Sequence, residues 1–292
     1  MNLVLLRLRM TVVCLATLAT APSAYSAPAM LWEVSGFANP ESALPDVKAG
    51  ILYVSNVNGA PDAKDGNGSI STVSLDGKVI AQKWSTGFNA PKGLALAGDK
   101  LYAADIDELV EIDTKDGKIT KRYPAKDAKF LNDVAADAAG NIYVSDMVTS
   151  TIWKLSGGTF TVWLADAKLE NPNGLLVEDG NLRVGAWGVM TDGFATKVPG
   201  HLISVALDSK AITNVGDGTP FGNLDGLEPL GGGVYLVTDW MSGKVMKYNA
   251  DGKVETLLEL GQGAADIGYD AASKTMFVPQ MSKGTLAAYK VE

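Results

Sequence analysis

Six polar residues recur in the same local phrase along the chain, and five of them carry the oxygen atoms that hard cations bind. The phrase usually has a proline or leucine before the polar residue and an apolar stretch after it. We call the recurring position the column, and it comprises Glu41, Lys92, Asn132, Asn173, Asp225 and Asp266. Calcium takes several carboxylate and amide oxygens. If the fold brings these segments together, the column predicts a cation site.

The same column has a second interpretation, because polar residues that line a channel can simply hydrogen-bond to one another and to water. The spacing alone leaves both interpretations open. Other chemistries have less support: there is no EF-hand spacing, no Cys/His zinc pattern and no Gly-x-Ser-x-Gly elbow. His201 is the one histidine of the chain. We expect it to be a surface or hydrogen-bonded residue rather than a catalytic one.

The elements that must position the column are β-strands. Column residues recur at intervals of roughly 40 to 50 residues, which is the period of a propeller blade. Each one opens a strand-like run, and a turn and a second run rich in β-branched and aromatic residues follow, as at 51–54 and 142–145. The pattern predicts an all-β fold, a six-bladed β-propeller with four antiparallel strands per blade.

The two ends of the chain complete this prediction. The segment 286–291 supplies the third strand of blade six, after which the chain stops. Residues 30–34 have no blade of their own and resemble the fourth strands elsewhere. We therefore expect the N-terminal strand to pair in the last blade and close the ring, which removes exposed sheet edges.

Two long loops, 58–68 and 187–200, fall between strands two and three of blades one and four. In an up-and-down blade this position lies at the channel mouth, on the side of the column, so both loops should overhang it. A tolerated surface insertion is the alternative. A second ring of residues ends strand two of each blade, either as strand caps or as a ligand-facing rim: Asn56, Asp105, Asp146, Trp187, Asp239 and Gln280. We favour capping for Asp105 and Asp146, and ligand contact for Trp187.

The first residues have the features of an export signal. Arg7 and Arg9 precede a short apolar run, and small residues follow up to Ser26. We predict a signal peptide over 1–26, a propeller over 27–292 and a periplasmic or secreted mature protein without a membrane span. An uncleaved N-terminal anchor is the alternative, which Pro22 and the small residues disfavour. The chain has a net charge of −8, and the acidic balance argues against nucleic acid as a partner.

The phrases around Asn132, Asn173 and Asp225, together with Glu41 in the first blade, resemble the gluconolactonase, regucalcin (senescence marker protein) and LRE-like propeller family. Paraoxonases and strictosidine synthase-like propellers share much of the pattern. The resemblance implies a divalent metal, usually calcium, held by Glu41, Asn173 and Asp225 with Asn132 nearby. It also implies lactone hydrolysis in which Asp225 helps to activate water.

Two departures from the family pattern affect the substrate. Phe130 stands where the sugar-lactone enzymes have an arginine, which favours a more apolar lactone or ester, and Lys92 places a cation in the column. We expect Lys92, Phe130, Trp187 and Asp266 to contact substrate. The predicted function is an exported calcium-dependent hydrolase that opens a small lactone or ester at the channel mouth. The alternative is a non-catalytic propeller that binds a small ligand or a protein there.

Overall fold

The computed structural model describes residues 27–291, so the predicted signal peptide lies outside the described residues. Strand β1 (Ala29–Ser35) precedes the first blade. Blade one contains β2 (Pro40–Asp46), β3 (Ile51–Asn56), β4 (Gly68–Ser74) and β5 (Val79–Phe88). Blade two contains β6 (Pro91–Ala97), β7 (Lys100–Asp105), β8 (Glu108–Asp113) and β9 (Ile119–Pro124). Blade three contains β10 (Leu131–Ala136), β11 (Ile142–Asp146), β12 (Thr151–Ser156) and β13 (Thr159–Ala165).

A short 3-10 turn, Ala167–Leu169, leads into the second half of the ring. Blade four contains β14 (Pro172–Glu178), β15 (Asn181–Ala186), β18 (Leu202–Ala206) and β19 (Ile212–Asn214), and the small hairpin of β16 (Met190–Asp192) and β17 (Ala195–Thr196) interrupts it. Blade five contains β20 (Leu224–Gly231), β21 (Val234–Asp239), β22 (Lys244–Tyr248) and β23 (Val254–Glu259). Blade six contains β24 (Gly268–Asp270), β25 (Thr275–Gln280), β26 (Thr285–Lys290) and β1.

The ring closes as the sequence predicts. Strand β1 pairs antiparallel with β26, so the two ends of the chain share blade six. The first strands of neighbouring blades contact one another around the ring, including β2 with β24. Residues 27–291 therefore form a six-bladed propeller of four-stranded antiparallel blades, with the first strand of each blade along the central channel.

The hydrophobic core lies between adjacent blades rather than in one central mass. One cluster packs Tyr53 and Ile70 of blade one against Leu101 and Val110 of blade two. The closing interface uses Phe277 of blade six in the same way, against blade one. The inner strands carry consecutive apolar residues, such as Leu52, Tyr53 and Val54, because each sheet buries both of its faces against neighbouring blades. In the described part of the chain, no helix is long and apolar enough to cross a membrane.

Candidate functional site

The column residue is the second residue of the innermost strand in five blades, and a glycine often follows because the blades approach closely there. A Cβ on Gly174 would stand 1.8 Å from the carbonyl oxygen of Asp225, and one on Gly93 would stand 2.3 Å from Oδ1 of Asp133. No side chain fits at such distances. The glycines of the repeated phrase thus let neighbouring first strands converge, which carries the column residues to one end of the channel.

Five column residues line one cavity of about 300 Å³, which we call the mouth cavity. Its polar lining includes Glu41, Lys92, Asn132, Asn173 and Asp225. Its other walls are mostly apolar and include Val57, Pro61, Phe130, Met147, Trp187, Phe194, Trp240 and Met281. Both long loops reach it, since Pro61 belongs to the first and Phe194 to the second. The prediction that the loops overhang the channel mouth is therefore confirmed.

Three buried oxygen atoms around the mouth cavity have no hydrogen-bond donor: Oε2 of Glu41, Oδ1 of Asn132 and Oδ1 of Asn173. All three residues are at least nine-tenths buried. Leaving a buried acceptor unsatisfied costs about 1–3 kcal/mol, so three of them around one cavity are an expensive arrangement. Each belongs to the set that the family resemblance assigns to the metal. Coordination to a cation is one way to satisfy such oxygens.

Asp225 is the fourth member of this set, and its environment disfavours a bare negative charge. Its Oδ1 accepts a hydrogen bond of 3.1 Å from Nδ2 of Asn173, which also turns the oxygen of that amide away from Asp225. Burial, followed by the nearby Asp266, raises the pKa of Asp225 well above its ordinary value. Burial, followed by Asp225, does the same to the pKa of Glu41. Two carboxyls in one buried site repel unless a proton or a cation neutralises them.

The oxygen set fits a divalent cation of the calcium type. Among residues 27–291, no three His, Cys, Asp or Glu side chains are grouped so that they could hold a metal ion. The mouth instead offers two carboxylates, Glu41 and Asp225, and the free amide oxygens of Asn132 and Asn173. Mixed carboxylate and amide oxygens are ligands of calcium, whereas zinc prefers nitrogen and sulfur.

Lys92 is the exception in the column. Its side chain is only 2% exposed, and its Nζ lies 4.4 Å from the centre of the Phe130 ring. Nζ donates a hydrogen bond of 3.0 Å to the carbonyl oxygen of Ala90. Burial lowers the pKa of Lys92 to about 8, although Glu41 and Asp105 act in the opposite direction. Lys92 therefore packs against Phe130, one of the aromatic residues that line the mouth cavity.

Asp266 does not line the mouth cavity, and the sequence alignment of blade six is shifted by one residue. In the other blades, the residue before the column pairs with the residue that ends strand two, as Pro40 does with Asn56. In blade six the equivalent bridge joins Ala264 to Gln280. The column residue of blade six is thus Ala265, and the prediction that Asp266 lies at the mouth is wrong.

Asp266 lies further along the channel, in a second space that we call the far cavity. Its lining includes Ser42, Asp133, Glu228 and Asp266. Asp266 accepts a hydrogen bond of 2.6 Å from Oγ of Ser42, which links blades six and one. Burial raises the pKa of Asp266 to about 7, and the Ser42 hydrogen bond opposes this shift.

The second ring ends strand two in five blades, but in blade four β15 ends at Ala186 and Trp187 is the residue after it. The predicted capping by Asp105 and Asp146 is confirmed. Asp105 caps backbone N–H groups of Asn89 and Ala90, and Asp146 caps those of Lys129 and Phe130. These residues tie the end of one strand to the start of the same blade. Trp187, by contrast, lines the mouth cavity and packs near Trp240, with ring centres 6.2 Å apart.

His201 lies outside the mouth cavity. Its Nε2 is 3.2 Å from Oδ1 of Asn214, and its Nδ1 is 3.6 Å from a carboxylate oxygen of Glu170. The expectation of a hydrogen-bonded histidine is confirmed, and its lack of a catalytic role stays a prediction.

Sequence analysis missed part of the apolar wall. Phe194 stacks near Phe130, with ring centres 5.3 Å apart, and its carbonyl oxygen accepts a hydrogen bond from Nε1 of Trp187. Met147 follows the strand cap Asp146 and also lines the cavity. A loop such as 187–200 has no strand register, so nothing in its sequence indicates which residue turns inward. Only Met147 had a sequence signal, because it is an apolar residue directly after a predicted strand cap.

Solved structures of similar fold include several propellers. Virginiamycin B lyase from Staphylococcus aureus superposes with a TM-score of 0.61 at 14% identity, over 89% of this chain and 99% of that one. A protein assigned as a gluconolactonase gives a TM-score of 0.66 at 17% identity, over 92% and 93%. A protein of unknown function from Bacteroides thetaiotaomicron gives 0.66 at 12% identity, over 91% and 73%. No family model and no curated protein matches the sequence. Identities this low establish the shared fold alone.

Proposed function

We propose that this chain is an exported, calcium-dependent hydrolase that opens a small lactone or ester in the mouth cavity. The observation that carries the proposal is the convergence of unsatisfied buried oxygens from Glu41, Asn132 and Asn173 beside the Asp225 carboxylate. The likeness of fold to an assigned gluconolactonase supports the same class of reaction. The export prediction rests on the sequence of residues 1–26 alone.

Glu41, Asn132, Asn173 and Asp225 would hold the cation, which would polarise the substrate carbonyl and stabilise the developing negative charge. Asp225 would accept the proton of the attacking water as a general base. Asn173 supports this role, because its amide N–H holds Oδ1 of Asp225 at 3.1 Å and restricts the carboxylate orientation.

The apolar wall defines the rest of the substrate. Phe130, Trp187 and Trp240 present aromatic surface to the cavity, and no arginine is present at the position of Phe130 to bind a sugar acid. We propose that the acyl chain or ring of the substrate packs there while water is excluded from the reacting carbonyl.

Two other functions have weaker support. A variant of virginiamycin B lyase in which a histidine is replaced by alanine is described as catalytically inactive. Here the one histidine of the sequence, His201, does not line the mouth cavity, so we do not extend lyase chemistry to this chain. A non-catalytic binding propeller is the second candidate. Lys92 favours it, because a buried cation beside the oxygen set could compete with the metal.

The deciding experiment combines metal dependence with a substrate panel. We expect the purified protein to contain calcium, to lose thermal stability in EDTA and to regain it when calcium is added. Asp225→Asn, which keeps the side-chain shape, should abolish the calcium response and lower hydrolysis of apolar lactones and esters by about 100-fold or more.

Asp251→Asn, at an exposed hairpin turn, is the matched control and should leave both readouts unchanged. A protein without a calcium response and without activity on the panel would overturn the proposal in favour of the binding propeller. Equal activity of Asp225→Asn and the unmodified protein would remove Asp225 from the reaction.

A further inference from the structure

Lys92 is a buried ammonium group that lines a cavity and has no carboxylate partner. None of the ion pairs in residues 27–291 includes it. Its one hydrogen bond goes to the carbonyl oxygen of Ala90, and the ring of Phe130 covers another side. Two carboxylates act on it at longer range, Glu41 first and Asp105 second. Glu41 belongs to the oxygen set proposed for the cation, and Asp105 is already occupied with the backbone N–H groups of Asn89 and Ala90.

An ammonium group has three N–H donors, so Lys92 can still donate to a ligand in the mouth cavity. A buried charge that lacks a partner is costly. The Phe130 ring compensates part of this cost through its π-electron face, but a ring accepts no strong hydrogen bond. The missing acceptor should therefore come from whatever occupies the cavity.

We propose that Lys92 is the anion-binding donor of the mouth cavity and that the cavity binds an apolar monocarboxylate, with the carboxylate on Lys92 and the body on the aromatic wall. The wall of Phe130, Trp187 and Trp240 suits an apolar body and offers no partner to a second charged group. The Lys92 ammonium and the Phe130 ring stand together, so one ligand can contact both.

This inference rests on the proposed function for its chemical meaning. In ester or lactone hydrolysis, the water oxygen forms a bond to the acyl carbon and the acyl–oxygen bond breaks. Asp225 would pass the proton that it takes from the water to the leaving alkoxide, and the second proton of the water goes to solvent as the acid ionises. The product is therefore an apolar monocarboxylate, either the acid released from an ester or the hydroxy acid formed from a lactone. Lys92 would stabilise the acyl oxygen on which negative charge develops.

The test compares a carboxylate with its neutral isostere. We would measure phenylacetate, hexanoate and phenylacetamide binding to the purified protein by calorimetry, in calcium and again in EDTA. Lys92→Met should weaken binding of the two carboxylates by about 10-fold or more, which is the usual size of a hydrogen bond to a charged group. Its effect on phenylacetamide should be several-fold smaller, because a neutral amide oxygen accepts a hydrogen bond from the ammonium but lacks the charge–charge attraction of a carboxylate.

Two further variants control for folding and for charge. Lys121→Met is the matched control: its Nζ also lies 4.4 Å from an aromatic ring centre, that of Tyr123, but on the exposed outer strand β9. Lys121→Met should change neither the affinity for the carboxylates nor that for phenylacetamide. Lys92→Arg keeps the charge and should retain a preference for carboxylate over amide. Thermal denaturation checks that each variant is folded.

Equal weakening of acid and amide binding in Lys92→Met would make Lys92 a packing residue and overturn the inference. A cavity that binds phenylacetamide as tightly as phenylacetate would also overturn it. The inference and the proposed function can fail separately. Lys92-dependent carboxylate binding without hydrolysis or calcium response leaves a binding propeller, whereas hydrolysis with an unselective Lys92→Met effect contradicts only the role of Lys92.

Discussion

The two cavities of the channel are lined by similar polar residues that differ in whether their oxygen atoms have hydrogen-bond donors. The neighbours Asn132 and Asp133 show the difference. Asn132 faces the mouth cavity with an oxygen that no donor satisfies. Asp133 faces the far cavity, and its carboxylate accepts hydrogen bonds of 2.6 Å from the backbone N–H groups of Val134 and Leu175. Leu175 belongs to the next blade, so Asp133 joins blades three and four.

Asp266 and Glu41 show the same contrast. At the far cavity, Asp266 accepts a hydrogen bond from Ser42 and links blade six to blade one. At the mouth, Glu41 retains an unsatisfied oxygen. Buried polar groups with partners stabilise a fold, whereas those without partners cost free energy and indicate ligand binding. The far cavity therefore contributes hydrogen bonds between blades, and the mouth cavity carries unsatisfied polar groups that we assign to a ligand in the proposed function.

The largest effect should come from removing Asp133. Asp133→Ala leaves the N–H groups of Val134 and Leu175 without an acceptor, at a cost of about 2–4 kcal/mol in free energy of unfolding. In a domain of this size, the melting temperature should fall by roughly 5–10 °C. Thermal denaturation in EDTA measures the change without any contribution from bound calcium.

Asn132→Ala is the adjacent control for this prediction. The side chain of Asn132 has one weak contact, from Nδ2 to the sulfur of Met147 at 3.6 Å, and an oxygen without a donor. Its removal should change the melting temperature in EDTA little but reduce the gain on adding calcium. If Asn132→Ala destabilises the metal-free protein as much as Asp133→Ala, the contrast between the two cavities does not hold.

An intermediate effect should come from pH. The pKa of Asp266 rises from 3.8 to about 7 in the folded protein, chiefly through burial. Burial also raises the pKa of Glu228 well above its ordinary value. The folded state therefore binds these protons more tightly than the unfolded state does. Their stabilising contribution is complete below the unfolded pKa values and is lost as pH rises through the folded ones.

In EDTA, the Asp266 contribution to the melting temperature should accordingly decrease between about pH 4 and about pH 7. Asp266→Asn keeps an acceptor for Oγ of Ser42 but has no proton to lose, so its decrease should be shallower over the same range. An identical slope in Asp266→Asn across this window would contradict the assignment of the far-cavity protons.

The smallest effect on stability should come from Phe194 in the loop 187–200, which covers the mouth cavity and which we call its roof. Phe194 is 40% exposed and lies on the loop 187–200, so Phe194→Ala should cost under about 1 kcal/mol in free energy of unfolding. It should nevertheless weaken binding of phenylacetate by several-fold, because the ring contacts the Phe130 wall. Val189→Ala, at a 59% exposed residue of the same loop, is the control and should leave the affinity unchanged. Equal effects of both substitutions would mean that the roof acts through loop packing alone.

Much of this site could be predicted from local sequence, and one position shows why the rest could not. Five column residues lie at the mouth as expected, because each sits one residue into a strand that its own phrase begins. Blade six has neither a proline nor a leucine before the aligned residue, and the nearest polar residue is Asp266 rather than the structural equivalent, Ala265. Since successive strand residues point to opposite sides, a shift of one residue moved Asp266 to the far cavity.

The sequence by itself determined the blade repeat, the strand order, the closing strand and the chemical types at the mouth, because strand periodicity and turn residues are local properties of the chain. Only the tertiary structure decided which oxygens lack donors, that Lys92 packs on Phe130, and that Phe194 covers the cavity. These features depend on distances between residues from different blades, such as the 3.1 Å between Asn173 and Asp225. No local pattern encodes such a distance, since it arises only when all the blades close around one axis.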